Sequence, residues 1–141
     1  MWSHYASDHS GIVIGFDTSQ RPFHAVDVMK VEYGKEKPLF THQQELDEFG
    51  RELMKVAKQR FEHWRYEHEV RIMIPRKGLR ERRYIGLDPR AIVSVCFGCR
   101  SADLYRQRVR TALQRPHFQY VKLYEARLNP SDYRLNIVPC P

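Results

Sequence analysis

The sequence has few cysteines and lacks the long apolar runs of membrane and secreted proteins. Its three cysteines among 141 residues cannot all pair within the chain, and they do not resemble the framework of a small disulfide-rich domain. No apolar run approaches the ~18 residues of a membrane-spanning helix. The N-terminus has no basic start followed by an apolar stretch, so no secretory signal is predicted. We therefore expect a cytoplasmic protein without a membrane partner.

Several motifs that would identify a chemistry are also missing. Cys96 and Cys99 form a lone C-x-x-C without the second pair of ligands that a zinc site needs, so no metal site is predicted. No G-x-G-x-x-G, Walker or G-x-S-x-G pattern occurs. These absences exclude the common phosphate loops and the nucleophile elbow of serine hydrolases.

The apolar residues that are present predict a folded α+β domain. They make up 42% of the chain, which suffices for a core at this length. Apolar runs and alternating patterns predict strands over residues 11–16, 25–33, 65–74, 91–97, 119–126 and 133–138. Apolar spacing of three and four predicts helices over residues 41–59 and 101–114. We expect a single domain over residues 1–141, with one mixed or antiparallel sheet of about six strands and two to three covering helices.

Residues 65–74 carry the strongest candidate for catalysis. Strand alternation predicts a buried face made of Tyr66, His68, Val70, Ile72 and Ile74. The opposite face then carries Arg65, Glu67, Glu69, Arg71 and Met73. Glu67 and Glu69 would lie ~6–7 Å apart, close enough to share a ligand, and Arg71 would lower the pKa of a neighbouring carboxyl. The alternative is an exposed sheet face with ion pairs of little energetic value.

Aromatic residues near this segment and at the N-terminus are candidate binding groups. Trp64 directly precedes the predicted strand and could stack on a base or a nicotinamide ring. Trp2 and Tyr5 form an aromatic cluster with neighbouring histidines, which could also hold a ring. With Arg71, these three aromatic residues are the predicted substrate-binding set. The alternative is that Trp64 closes the core and that residues 1–8 are the packed end of a helix.

The charge distribution suggests a second class of function. The net charge is +7, with acidic residues in excess over residues 1–50 and basic residues in excess over 51–83 and 100–127. The densest basic run surrounds the turn residue Gly78 and consists of Arg76, Lys77, Arg80, Arg82 and Arg83. Such a run could bind nucleic acid or another acidic partner. The alternative is a solvated basic surface without a partner.

Sequence blocks spread over nearly the whole chain resemble a bacterial family of domains of unknown function, number 2971 in its series. The blocks are MWSHYA at 1–6, HSG at 9–11, IGFD at 14–17, V-x-Y at 31–33, YEHE at 66–69 with Arg71, and Gly98 with Arg100. Members of that family usually carry a further N-terminal segment. The resemblance therefore implies an N-terminally truncated version of a longer domain, and the family name implies no activity.

The Glu-x-Glu pair is also similar to the catalytic pair of ADP-ribosyltransferases. That resemblance implies that Glu69 holds the 2′-hydroxyl of the nicotinamide ribose and stabilises the oxocarbenium-like transition state. It implies that Glu67 faces the acceptor and that NAD is the substrate. Those enzymes also grip NAD with a histidine or arginine on an early strand, which residues 1–50 do not match.

Two hypotheses follow from the residues and the resemblances. The first is an NAD-using transferase or effector of the ADP-ribosyltransferase type, which would be inactive if the preceding segment is required. The second is a basic nucleic-acid-binding or interaction module without catalysis. Whether the chain is an enzyme, which cofactor it uses and whether it forms oligomers stay open from the sequence.

Overall fold

A computed structural model of the chain describes residues 6–37, 46–73 and 84–140, except for the side chains of Ala25 and residues 46–49. Its contacts group into two compact units. The split unit comprises Met1–His24 and Tyr84–Pro141, and the inserted unit comprises Ala25–Arg83. The assignment of residues 1–141 to a single domain stays a prediction.

The described residues contain both helices and strands, which confirms the α+β class. In chain order the elements are β1 (Ile12–Phe16), β2 (Asp27–Lys30), β3 (Glu32–Gly34), α1 (Leu46–Lys58), β4 (Gln59–Phe61), β5 (Val70–Met73), β6 (Ile92–Phe97), α2 (Asp103–Leu113), β7 (Lys122–Leu128) and β8 (Leu135–Pro139). Short 3₁₀ helices span Phe23–Ala25, Glu62–Glu67, Pro89–Ala91 and Pro116–Phe118. The largest sheet is mixed, as predicted, and has four strands, while two smaller sheets have two strands each.

The four-stranded sheet of the split unit has the order β1-β6-β7-β8. β6 runs parallel to β7 and antiparallel to β1, and β8 is antiparallel to β7. Parallel neighbours need a crossover connection, and α2 lies in the crossover from β6 to β7. The apolar run of β6 supplies buried Val95 and Phe97, and Ala91 and Ala126 complete this part of the core.

The first described residues of the split unit form a turn rather than the predicted helix end. Ser7–His9 have φ values of 48°, 50° and 67°, which are left-handed conformations that no right-handed helix contains. The turn is held against the end of β6, because the Gly98 N–H donates to the Gly11 carbonyl at 2.9 Å. A Cβ at Gly98 would lie 2.0 Å from the His9 carbonyl oxygen, so this close approach requires glycine.

In the inserted unit, β2 and β5 form an antiparallel ribbon whose faces are opposite to those predicted. Met29 is opposite Arg71 in the register, and Met29 is buried. Val70 and Ile72, predicted to be buried, are 52% and 38% exposed. The prediction was wrong because the face that carries Arg71 is the one turned toward α1, where Arg71 Nη1 donates to the Ala57 carbonyl at 2.6 Å.

The second ribbon of the inserted unit is parallel and belongs to a strand–helix–strand unit. β3 pairs with β4, with Tyr33 opposite Arg60, and α1 lies in the connection between them. The predicted helix over 41–59 is confirmed for Leu46–Lys58, and residues 41–45 lie outside the described residues. This unit places Arg60 directly before the segment that carries the candidate carboxylates.

Candidate functional site

The backbone around the candidate carboxylates is a 3₁₀ helix followed by a left-handed residue. The 3₁₀ helix spans Glu62–Glu67, and His68 has φ 45° and ψ 46°. The His68 N–H donates to the Arg65 carbonyl at 3.1 Å. The predicted strand over residues 65–69 was therefore wrong, because the 3₁₀ helix and its left-handed cap at His68 precede β5, which begins at Val70. Glu67 and Glu69 are not alternate residues of one strand.

Both carboxylates nevertheless meet, through a shared arginine. Arg60 Nη1 lies 2.6 Å from Glu67 Oε2 and 2.6 Å from Glu69 Oε2. The Glu67 side chain is only 4% exposed, whereas that of Glu69 is 25% exposed. The structure thus brings the two predicted catalytic residues together around a cation, and only Glu69 has substantial access to solvent.

Arg71 is the second cation of this group. Its Nε donates to Glu69 Oε1 at 2.7 Å, and its Nη2 donates to Glu69 Oε2 at 3.2 Å. Its Nη1 donates to the Ala57 carbonyl at 2.6 Å, near the end of α1. Hydrogen bonds from Arg71, aided by Arg60, lower the pKa of Glu69 against the opposing effect of burial. Arg60, Glu67, Glu69 and Arg71 are called the Arg–Glu cluster below.

Trp64 packs on the Arg–Glu cluster. The Arg60 guanidinium carbon lies 4.5 Å from the centroid of the Trp64 ring, which is a cation–π contact. The centroid of the Trp64 ring also lies 6.0 Å from the ring centroid of His63 and 6.0 Å from that of Tyr66. Trp64 is therefore next to the candidate carboxylates, as its position in the sequence suggested. Its described ring contacts include the side chains of Arg60, His63 and Tyr66.

A cavity of about 330 Å³ borders the cluster on the side of Glu69. Its described lining consists of Lys30, Val31, Tyr33, Arg65, His68, Glu69 and Val70. The Glu69 N–H donates to the Tyr33 hydroxyl oxygen at 2.7 Å, and the Arg65 guanidinium carbon lies 5.6 Å from the Tyr33 ring centroid. This Glu69 cavity combines a carboxylate, an aromatic ring and two cations.

Sequence reasoning did not find Tyr33 or Lys30 as members of this site, and it predicted Arg65 on the face of Glu69 without assigning it to the binding set. Tyr33 was noted within the V-x-Y block, which was the available signal, but its separation of 36 residues from Glu69 concealed the contact. The predicted ligands Trp2 and Tyr5 lie outside the described residues, and so does the basic run that comprises Arg76, Lys77, Arg80, Arg82 and Arg83.

Neither a metal-binding group nor a membrane-spanning helix occurs among the described residues. No three histidine, cysteine, aspartate or glutamate side chains within residues 6–37, 46–73 and 84–140 are grouped so that they could hold a metal ion. Neither α1 nor α2, the α-helices of the described residues, has the length and apolar character that crossing a membrane requires.

Comparison with known proteins gives one match. The model of a family described as "Protein of unknown function (DUF2971)" matches residues 1–72, which is just over half of the chain. No curated protein and no solved structure matches the chain. The matched region includes Tyr33 and all four residues of the Arg–Glu cluster.

Proposed function

We propose that this chain, which belongs to the DUF2971 family, binds a nucleotide in the Glu69 cavity and transfers the ribosyl group of NAD to an acceptor. One observation carries the proposal: the Glu69 carboxylate is held by two guanidinium groups, and Glu69 is a lining residue of a cavity. A fixed carboxylate beside an open space can oppose the positive charge that develops on a ribose ring.

Glu69 has the acceptor capacity that this role needs. A carboxylate has about four lone-pair sites. Among the described contacts, Oε2 accepts from Arg60 and Arg71, whereas Oε1 accepts only from Arg71 Nε. Oε1 therefore has a lone pair for a ribose hydroxyl. Because both arginines already hold the carboxylate in place, the transition state needs no reorganisation of this group.

The other groups of the Glu69 cavity suit a nucleotide. The Tyr33 ring offers a surface on which a base or nicotinamide ring can stack. Lys30 can pair with a phosphate oxygen, whereas Arg65, which lines the same cavity, is already paired with Glu62. A volume of about 330 Å³ is near the lower end of ligand pockets, so the cavity accommodates one nucleoside portion and not a whole dinucleotide.

The proposed reaction breaks the bond between ribose C1′ and the nicotinamide nitrogen. The bonding electron pair leaves with nicotinamide, which becomes neutral, and C1′ develops positive charge opposite Glu69. An acceptor oxygen or nitrogen then bonds to C1′ and releases its proton to solvent water. The acceptor-facing role of Glu67 stays a prediction, and its ion pair with Arg60 supports a positioning role in addition.

We also propose a cytoplasmic location. Cys96, Cys99 and Cys140 are free thiols. Free thiols are the expected state in a reducing compartment, so this observation supports the location that composition predicted.

The variant Glu69→Gln tests the proposed reaction. We expect the full chain to release nicotinamide from NAD, and Glu69→Gln to reduce kcat by about 10²–10³-fold with a smaller effect on KM. The measurement is nicotinamide release by chromatography, with NAD binding followed by calorimetry. Absence of both NAD binding and release in the unmodified chain, or full activity in Glu69→Gln, would overturn the proposal.

Glu125→Gln is a matched control for the loss of an ion-paired carboxylate. Glu125 accepts from Arg106 at 2.8 Å and from Arg127 at 2.6 Å, so it too is held by two guanidinium groups. Those hydrogen bonds lower its pKa as well. We expect Glu125→Gln to retain the activity of the unmodified chain per folded molecule, as judged by circular dichroism at the assay temperature.

A further inference from the structure

A second and larger cavity of the inserted unit has a volume of about 690 Å³. One of its walls is the face of α1 that carries Glu52, Lys55 and Val56. The opposite part of its lining comes from β3 and the residues that follow it, including Lys35 and Lys37. This lysine cavity is within the volume range of small-molecule sites, roughly 300–1,000 Å³.

The face of α1 that lines the lysine cavity carries two charged residues, where packing against the strands would favour apolar ones. Glu52, Lys55 and Val56 are spaced by three and four residues, so they share one side of α1. A helix in a strand–helix–strand unit normally turns an apolar stripe toward its strands. Here two of these three positions are charged and face a cavity, which is the arrangement of a binding site for a polar ligand.

The three lysines of the cavity select for an anionic group. Lys35 and Lys37 follow β3, whereas Lys55 belongs to α1, so the lysines of the lining come from separate elements. Ammonium groups donate charge-assisted hydrogen bonds to phosphate oxygens, which are stronger than bonds between neutral groups. Convergence of this kind suits a phosphate better than a neutral ligand.

The carboxylates of the lining add a requirement for hydrogen-bond donors. Glu32, Glu36 and Glu52 line the cavity together with the three lysines. An ionised carboxylate only accepts hydrogen bonds. Sugar hydroxyls beside a phosphate would donate to these carboxylates. A bare polyanion would meet them without offering a donor.

We infer that the lysine cavity binds a phosphate ester that carries hydroxyl donors, such as a nucleotide or a sugar phosphate. Tyr33 lines both this cavity and the Glu69 cavity. If the proposed function holds, on which this extension rests, the lysine cavity takes the adenosine phosphate half of NAD, while the nicotinamide ribose and its phosphate occupy the Glu69 cavity.

Binding of ADP, ribose 5-phosphate and inorganic phosphate to the full chain tests the inference by calorimetry. We expect the two esters to bind more tightly than inorganic phosphate. Lys55→Gln should weaken ADP binding by about tenfold, because one charge-assisted contact is lost. Lys58→Gln is the matched control, since Lys58 is on the same helix but does not belong to the described lining, and it should bind ADP normally.

Glu52→Gln separates the hydroxyl contribution from that of the phosphate. We expect this variant to weaken the binding of ribose 5-phosphate and to leave that of inorganic phosphate unchanged. Equal ADP affinity in Lys55→Gln and Lys58→Gln, or inorganic phosphate binding as tightly as the esters, would overturn the inference. Thermal unfolding of each variant checks that the chain is folded.

The two proposals fail in distinguishable ways. ADP binding that depends on Lys55 in a chain that neither binds nor cleaves NAD would support the lysine cavity and refute the proposed function. Cleavage of NAD that depends on Glu69, in a chain that does not bind ADP, would support the proposed function and refute the lysine cavity.

Discussion

Glu69 is fixed by residues that are themselves held by other elements. Arg60 comes from β4, and Arg71 reaches the Ala57 carbonyl at the end of α1 while it pairs with Glu69. A carbonyl near a helix C-terminus carries partial negative charge, so it stabilises the guanidinium there. The position of the candidate catalytic carboxylate therefore depends on α1 and β4 as well as on its own segment.

The lowered pKa of Glu69 predicts how stability depends on pH. The ionised carboxylate is favoured in the folded chain, so its contribution is complete above the ordinary value of 4.5 and is lost as the pH falls through the lower folded value. We expect the free energy of unfolding to fall between about pH 5 and pH 3, and to fall less steeply in Glu69→Gln. Urea unfolding at several pH values measures this.

Identical slopes in the two chains over that pH range would contradict the assignment. Glu125→Gln should also flatten the profile, because hydrogen bonds from Arg106 and Arg127 lower the pKa of Glu125.

At the level of elements, the two faces of the ribbon of β2 and β5 differ in their exposure among the described residues. Met29 is 7% exposed and lies opposite Arg71, whereas Val28 and Ile72 form an opposed pair on the accessible face. The inward face thus combines an apolar residue with a guanidinium whose charge is neutralised by Glu69. An arginine can be partly buried here because the carboxylate satisfies it.

The two faces of the ribbon should respond differently to truncation. We expect Met29→Ala to lower the free energy of unfolding by about 2 kcal/mol or more, as is usual when a buried methionine is removed. Ile72→Ala should cost less than about 1 kcal/mol, because much of that side chain is already in contact with water. Denaturant unfolding of both variants gives the comparison, and a larger cost for Ile72→Ala would show that the faces are assigned wrongly.

At the scale of the whole chain, the net charge of +7 favours attraction of a polyanion, so the nucleic-acid alternative makes a testable prediction. Arg106 is used internally, since it pairs with Glu125 and donates to the Gly98 carbonyl. Arg108 and Arg110 of α2 are exposed, and they are described basic residues that a polyanion could reach. Electrostatic attraction of this kind is independent of sequence and is weakened by salt.

We expect any binding of single-stranded DNA to be non-specific and to fall by about 10³-fold or more between about 50 and 200 mM salt if several phosphates are contacted. Fluorescence anisotropy with the full chain measures this, and Arg108→Gln with Arg110→Gln should reduce the dependence on salt. Tight binding that persists at high salt and prefers one sequence would favour the nucleic-acid module over the nucleotide-binding enzyme.

Local sequence patterns predicted much of the regular structure. The apolar run at β6 and the apolar spacing of three and four in α1 and α2 were sufficient to predict these elements. The reason is that a buried strand and an amphipathic helix each have a characteristic pattern of apolar residues within a short stretch of sequence. The α+β class followed from the same patterns. The acidic pair was also visible, since Glu67 and Glu69 are only two residues apart.

Tertiary structure decided how that acidic pair is arranged. His68 has a left-handed conformation, but the sequence has no glycine at this position that would have predicted a turn. The alternating polarity of the segment indicated a strand instead. Arg60 and Tyr33 approach Glu69 across 9 and 36 residues of chain, and local periodicity carries no information on such contacts. The sequence by itself determined which groups were available and most of the elements that carry them. Only folding determined that two guanidinium groups hold Glu69 at the wall of a cavity, because ion pairs and cavities arise between elements distant in the chain.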